Sequence, residues 1–216
     1  MRSRLLSLKI QYPAGNLFIT APHGRLEAIR KEPRGEPARR VALVLHPHPL
    51  GGGTMHNKVV FRAASALNDA GLVTLRINFR GVGQSTGTHD EGRGELDDVG
   101  TGLDYLSENY PATPITICGF SFGARVGLEV GIADDRVSNL ISIGTPVDKY
   151  DFGFLVACRK PILFVQGNRD EFGNERRMRS LAAQVAQKAP AQLTIIEGAD
   201  HFFAGDFEEL QGVMIG

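Results

Sequence analysis

The chain has 216 residues, 42% of them hydrophobic, which suffices for one sizeable core and points to a single domain over 1–216; two independent domains would each be cramped. Lys plus Arg number 24 and Asp plus Glu 24, so the formal net charge is +0 and no global field draws the protein towards nucleic acid or an anionic membrane surface. A small-molecule partner fits this composition better than a polyanion does.

Short apolar stretches at 5–10, 17–19 and 26–29 alternate with Pro- and Gly-containing turns, as an antiparallel edge does. Residues 41–45 are a continuous aliphatic run, the pattern of a strand covered on both faces, and the pattern recurs at 72–79, 115–118, 137–143, 161–165 and 192–196. Helical periodicity fills the gaps at 57–70, 95–109, 121–132 and 174–189. Strands that alternate with helices predict an α/β fold with a mostly parallel central sheet and helices on both faces. The opening residues carry two positive charges, but the apolar run breaks at Lys9 without a small-residue cleavage site, so no signal peptide is read. Apolar runs stay short of a bilayer span, and the two cysteines, Cys118 and Cys158, suit packing in a reducing compartment. A soluble, cytoplasmic protein is expected.

Pro114-Ile-Thr-Ile-Cys118 runs into Gly119-Phe-Ser121-Phe-Gly123 and then a helical stretch. Strand, G-x-S-x-G and helix in that order form a nucleophile elbow, a turn so tight that glycines must flank the serine. In a chain with 26 glycines the string alone is weak; its placement is what gives it weight. A serine hydroxyl needs a base, and the base a carboxylate to fix its tautomer. On such an elbow the chain order is Ser, Asp or Glu, His, and the only histidine after Ser121 is His201. Asp170, in the turn-rich segment after strand 161–165, is the preferred acid over Glu171 and Asp200, the latter suited to capping.

Acyl transfer also needs N–H donors for the oxyanion. Phe122 supplies one, and the loop His46-Pro-His48-Pro-Leu50-Gly the other. Pro47 and Pro49 have no N–H, which leaves His48 or Leu50, with His48 favoured. A metal site at His46, His48 and His56 is the weaker reading: no Cys lies nearby and a proline separates the first two. Neither metal nor cofactor is called for. Arg80-Gly81-Val-Gly83-Gln-Ser-Thr-Gly87 imitates a dinucleotide loop, but its last glycine comes one position late and Asp90 and Glu91 follow where a pyrophosphate would lie. Asp97 and Asp98 read as charges favouring a helix N-terminus.

Taken together, His-Pro-His-Pro, Met-His-Asn-Lys, Arg-Gly-Val-Gly, Gly-Phe-Ser-Phe-Gly and the late Asp-His-Phe-Phe resemble the α/β-hydrolase superfamily over nearly the whole chain, within it the small capless, dienelactone-hydrolase-like or esterase-like hydrolases. The resemblance implies Ser121, Asp170 and His201 as triad and the N–H groups of His48 and Phe122 as oxyanion hole, because related H-G-x-P loops donate from their third position. Only residues 145–160 stand where relatives insert a cap, so a shallow, open pocket is expected, with Leu50, Phe120 and Phe202 as substrate-binding residues. The expected activity is hydrolysis of small carboxylic esters through an acyl-enzyme. Thioesterase or peptidase-like activity, or a non-catalytic binding scaffold, are the alternatives. The segment after His201 is short and predicts an abbreviated last helix, which would offer an apolar face to a second copy in a homodimer.

Overall fold

The computed structural model describes residues 15–34 and 39–215; the strand expected at 5–10 lies outside them. In chain order the elements are β1 Asn16–Ala21, β2 Gly24–Lys31, β3 Val41–Leu45, α1 Lys58–Asp69, β4 Val73–Ile77, α2 Arg93–Asn109, β5 Ile115–Phe120, α3 Phe122–Ala133, β6 Val137–Ile143, β7 Ile162–Gly167, α4 Glu175–Val185, β8 Ala191–Ile196 and α5 Phe207–Ile215. The eight strands form one sheet in the order β1-β2-β4-β3-β5-β6-β7-β8. β1–β2 and β2–β4 pair antiparallel and every other pair is parallel, so the antiparallel edge and parallel centre read from the sequence are both present.

Side-chain alternation divides the core in two. Ala42, Val44, Cys118, Ile141, Ile143 and Val165 face α1 and α5, while Leu43, Leu45, Ile117, Leu140 and Phe164 face the side of α2, α3 and α4. All five residues of β3 are buried, as an unalternating aliphatic run demands. Asn57 starts α1 by accepting the Val59 and Val60 N–H groups at 2.9 and 3.4 Å, and Asn174 starts α4 in the same way. α4 ends at Val185 rather than continuing to 189; a turn in which Val185 O accepts the Lys188 and Ala189 N–H groups, both at 3.0 Å, leads to Pro190. The last helix buries Leu210 and Met214 in the cluster that contains α1.

From β3 the chain crosses through α1 to β4 on one side, then through α2 to β5 on the other. Loops leaving the carboxyl ends of β3 and β5 therefore diverge and leave a crevice, the usual ligand position in an open parallel sheet. Residues 46–57 and Ser121 lie at that crevice. The segment 145–160 contributes only a short 3-10 turn, Gly153–Ala157, and no cap domain.

Candidate active site

Ser121 sits between β5 and α3 with φ 55° and ψ −116°, a conformation that costs a non-glycine residue about 1–3 kcal/mol. Its backbone is held from both sides: the N–H donates to Ile143 O at 2.9 Å, and the carbonyl accepts the Ala124 and Arg125 N–H groups at 3.0 and 3.1 Å. The flanking glycines are required by close approach. A Cβ on Gly119 would stand 2.4 Å from Gly123 O, and one on Gly123 would stand 2.6 Å from His46 O. The elbow is thus packed directly against the loop that leaves β3.

His201 Nε2 lies 2.9 Å from Ser121 Oγ, and His201 Nδ1 lies 2.8 Å from Asp170 Oδ2. The three side chains picked from chain order meet in one hydrogen-bonded line, although 80 residues separate serine from histidine. His201 is 2% exposed and Asp170 7%, whereas Ser121 at 9% still touches solvent. Asp200 does not compete for the imidazole; it accepts the Phe202 and Ala204 N–H groups at 2.9 and 3.2 Å and shapes the loop.

One member of this network was not legible beforehand. Gln166, fully buried at the end of β7, donates from Nε2 to Asp170 Oδ2 at 2.6 Å. Its Oε1 accepts the Thr145 N–H at 2.8 Å, which fixes the orientation of the amide. Asp170 Oδ1 in turn accepts the Phe172 N–H at 2.8 Å. A polar residue closing an apolar strand was the signal available in the sequence.

In the loop after β3, the Leu50 N–H donates to His48 Nδ1 at 3.2 Å, so Leu50 is already engaged locally. The carbonyl of His48 accepts from Gly51 and Gly53, both at 3.0 Å, which closes a tight turn around it. The His48 ring lies 5.0 Å from that of Phe122. Burial lowers the His48 pKa and His89 lowers it further, while the Glu95 carboxylate works against both. His46 is a structural residue: Nδ1 donates to Pro47 O at 2.6 Å and Nε2 accepts the Phe79 N–H at 3.0 Å, so both ring nitrogens are taken by backbone. Among the described residues no group of three His, Cys, Asp or Glu side chains is arranged to hold a metal.

Of the expected pocket residues, Leu50 (78%) and Phe202 (50%) are exposed at the rim. Phe120 is corrected: it is 1% exposed and packs under the imidazole, with ring centroids 5.0 Å apart, so it supports His201 rather than reaching a ligand. Asp98 is also corrected. Its buried carboxylate accepts from the Arg80 guanidinium (2.8 Å) and backbone N–H (2.8 Å) and lies 2.9 Å from His23 Nε2, tying the Gly-rich loop to the β1–β2 turn; only Asp97 is exposed. A cavity of about 570 Å³ opens at the other end of the sheet, around Thr116, Asn139 and Pro161 at the strand starts, and is remote from Ser121.

Residues 40–209 match the model of the alpha/beta hydrolase domain. The chain belongs to the α/β-hydrolase family. It is 40% identical over 200 residues to the Rickettsia prowazekii protein RP471, covering 89% of this chain and 84% of that one. A structure described as an alpha-beta serine hydrolase homologue from Coxiella burnetii superposes with TM-score 0.88 at 36% identity, over 95% of this chain and 97% of that one. XC6422 from Xanthomonas campestris, described as an α/β serine hydrolase without lid, superposes with TM-score 0.84 at 32% identity, over 94% and 93% of the two chains. This α/β-hydrolase is accordingly an enzyme of the serine hydrolase type, and its eight-stranded, mostly parallel fold superposes on both of those structures.

Proposed function

We propose that this α/β-hydrolase cleaves small carboxylic esters through a serine acyl-enzyme, with Ser121 as nucleophile, His201 as general base and Asp170 as the acid that orients it. The observation that carries the proposal is the unbroken line from Ser121 Oγ to His201 Nε2 at 2.9 Å and from His201 Nδ1 to Asp170 Oδ2 at 2.8 Å. With Asp170 accepting at Nδ1, the neutral imidazole presents a lone pair at Nε2 to the serine hydroxyl. Ser121 Oγ attacks the ester carbonyl and its proton passes to His201. The tetrahedral oxyanion accepts hydrogen bonds from the Phe122 and His48 N–H groups, each worth roughly 10²–10³ in rate. Collapse breaks the bond to the leaving alkoxide, which takes the proton from His201. Water then repeats the sequence on the acyl-enzyme and releases the acid.

Several features support this assignment. Phe122 opens α3, so its N–H is among those left free at a helix start. The Leu50 N–H is spent on His48 Nδ1, which favours His48 over Leu50 as second donor. The short 145–160 segment and the exposed Leu50 and Phe202 suit a short acyl or aryl group in an open site. The free, buried Cys118 and Cys158 suit a cytoplasmic setting, and among the described residues no helix is long and apolar enough to cross a membrane.

The test is hydrolysis of p-nitrophenyl esters of increasing acyl length by the wild type and by Ser121→Ala. The proposal requires turnover of acetate and butyrate that Ser121→Ala abolishes. Turnover that survives this substitution, or a preference for long chains, speaks against it.

A further inference from the structure

The cavity at the strand starts, about 570 Å³, lies on the face of the sheet that carries α1 and α5. Leu67 in the last turn of α1 and Met214 near the end of α5 border it, and Leu72, Ile141 and Leu163 continue an apolar wall. Its volume falls within the roughly 300–1,000 Å³ of small-molecule sites. Thr116 stands near the start of β5 and Ser121 just past its end, so this space is separate from the crevice at Ser121.

Polar groups interrupt that wall at one side. Thr116, 4% exposed, lines the cavity on the same face as Cys118. Its hydroxyl has no partner among the described residues, and no wholly buried side-chain oxygen there lacks one, so the surface that Thr116 keeps includes Oγ1 and opens into the cavity. Asn139 is in register with Thr116; its Nδ2 gives one N–H to Ser138 Oγ at 3.0 Å and keeps another. Arg40 lies two residues before Ala42, whose register partner is also Thr116. It is exposed, so it stands where the cavity meets solvent, and among the described residues it is the one charged side chain of the lining and has no carboxylate partner. A cation beside neutral donors, at the edge of an apolar space that holds no Asp or Glu, is complementary to an anionic head on an apolar body.

We propose that this cavity is a ligand site distinct from the crevice at Ser121 and that it takes a free monocarboxylic acid with an apolar body. The carboxylate accepts from the Arg40 guanidinium and the Thr116 hydroxyl, and the chain lies against Leu67, Ile141, Leu163 and Met214. A neutral ligand of the same shape gains the apolar contacts but leaves the guanidinium without its anion, so the acid is preferred. Binding there is independent of the chemistry assigned to Ser121.

Titration of the full chain with sodium octanoate, and with octanol as its uncharged counterpart, tests the site by calorimetry and methyl NMR spectra. Octanoate should shift the methyl signals of Leu72, Ile141, Leu163 and Met214 and bind about tenfold more tightly than octanol. Arg40→Gln, a change at an exposed position, should bring that ratio close to unity, and added salt should weaken octanoate more than octanol. Thr116→Val keeps the shape of the side chain and removes the hydroxyl, and should weaken octanoate by about threefold or more. The ratio of acid to alcohol is read within one variant, so a general loosening of the fold cancels. Shifts confined to residues around Ser121, such as Leu50, would place the acid in the other crevice and overturn the site. So would equal affinities for acid and alcohol, a preference that survives in Arg40→Gln, or no saturable binding of octanoate.

Discussion

Gln166 Nε2 and His201 Nδ1 converge on the same oxygen of Asp170, at 2.6 and 2.8 Å. The amide is locked in turn by the Thr145 N–H at 2.8 Å, so the carboxylate that faces the imidazole is anchored to the loop after β6. Gln166→Leu removes a donor from a buried carboxylate and an acceptor from a buried N–H. Each unsatisfied group costs roughly 1–3 kcal/mol, and loss of Asp170 alignment should lower kcat/KM by about tenfold or more. Urea unfolding and ester kinetics on the same preparation check both; unchanged kinetics in a folded variant would show that Gln166 does not position Asp170.

Gly123 has no room for a side chain. A Cβ there would lie 2.6 Å from His46 O and 2.7 Å from Leu45 O, and both obstacles are backbone. Gly123→Ala should destabilise the protein by about 1–3 kcal/mol and displace the elbow from the β3 loop, so activity should fall together with stability. Denaturant midpoints measured beside ester turnover read the two effects.

His46 gives the fold a pH dependence of predictable sign. Burial pushes its pKa from 6.5 down to about 4. Between those values the unfolded chain binds a proton that the folded chain refuses, so this contribution is complete above pH 6.5 and is lost as pH falls towards 4. The loss is roughly 3 kcal/mol across the window. Unfolding free energies at pH 7.5 and 4.5 should differ more in the wild type than in His46→Gln, and parallel pH curves would contradict the assignment.

Asp98 joins elements distant in sequence. It accepts from Arg80 on the Gly-rich loop and pairs with His23 in the β1–β2 turn, with its own side chain 1% exposed. Removing one partner of such a buried pair strands the others, so Asp98→Ala should cost about 3–5 kcal/mol. Hydrogen exchange over residues 80–92 should rise in that variant more than over β5 and β6.

These particulars show what the sequence carried and what it did not. β3 and β7 announced themselves because a parallel strand covered on both faces leaves an unbroken apolar run, as Val41–Leu45 does, whereas β8 at the sheet edge is only partly buried and carries Gln192 and Thr194. That Ser121, Asp170 and His201 meet in one hydrogen-bonded line was legible because the elbow fixes the first and chain order narrows the others. Gln166 was not, since a single polar residue at a strand end has no period to betray it. Phe120 and Asp98 were misplaced for a related reason: composition does not tell which way a residue at the end of a strand, or one of two adjacent aspartates in a helix, will point. Depth followed from packing of β5 against β6 and of α2 against the Gly-rich loop.

The central claim is that Ser121 is a nucleophile activated by His201. Incubation with a fluorophosphonate probe and peptide mass spectrometry tests it directly. The account predicts one adduct, on Ser121, absent in Ser121→Ala and formed far more slowly in His201→Ala. An unlabelled wild type, or labelling at an undiminished rate in the His201 variant, would contradict it.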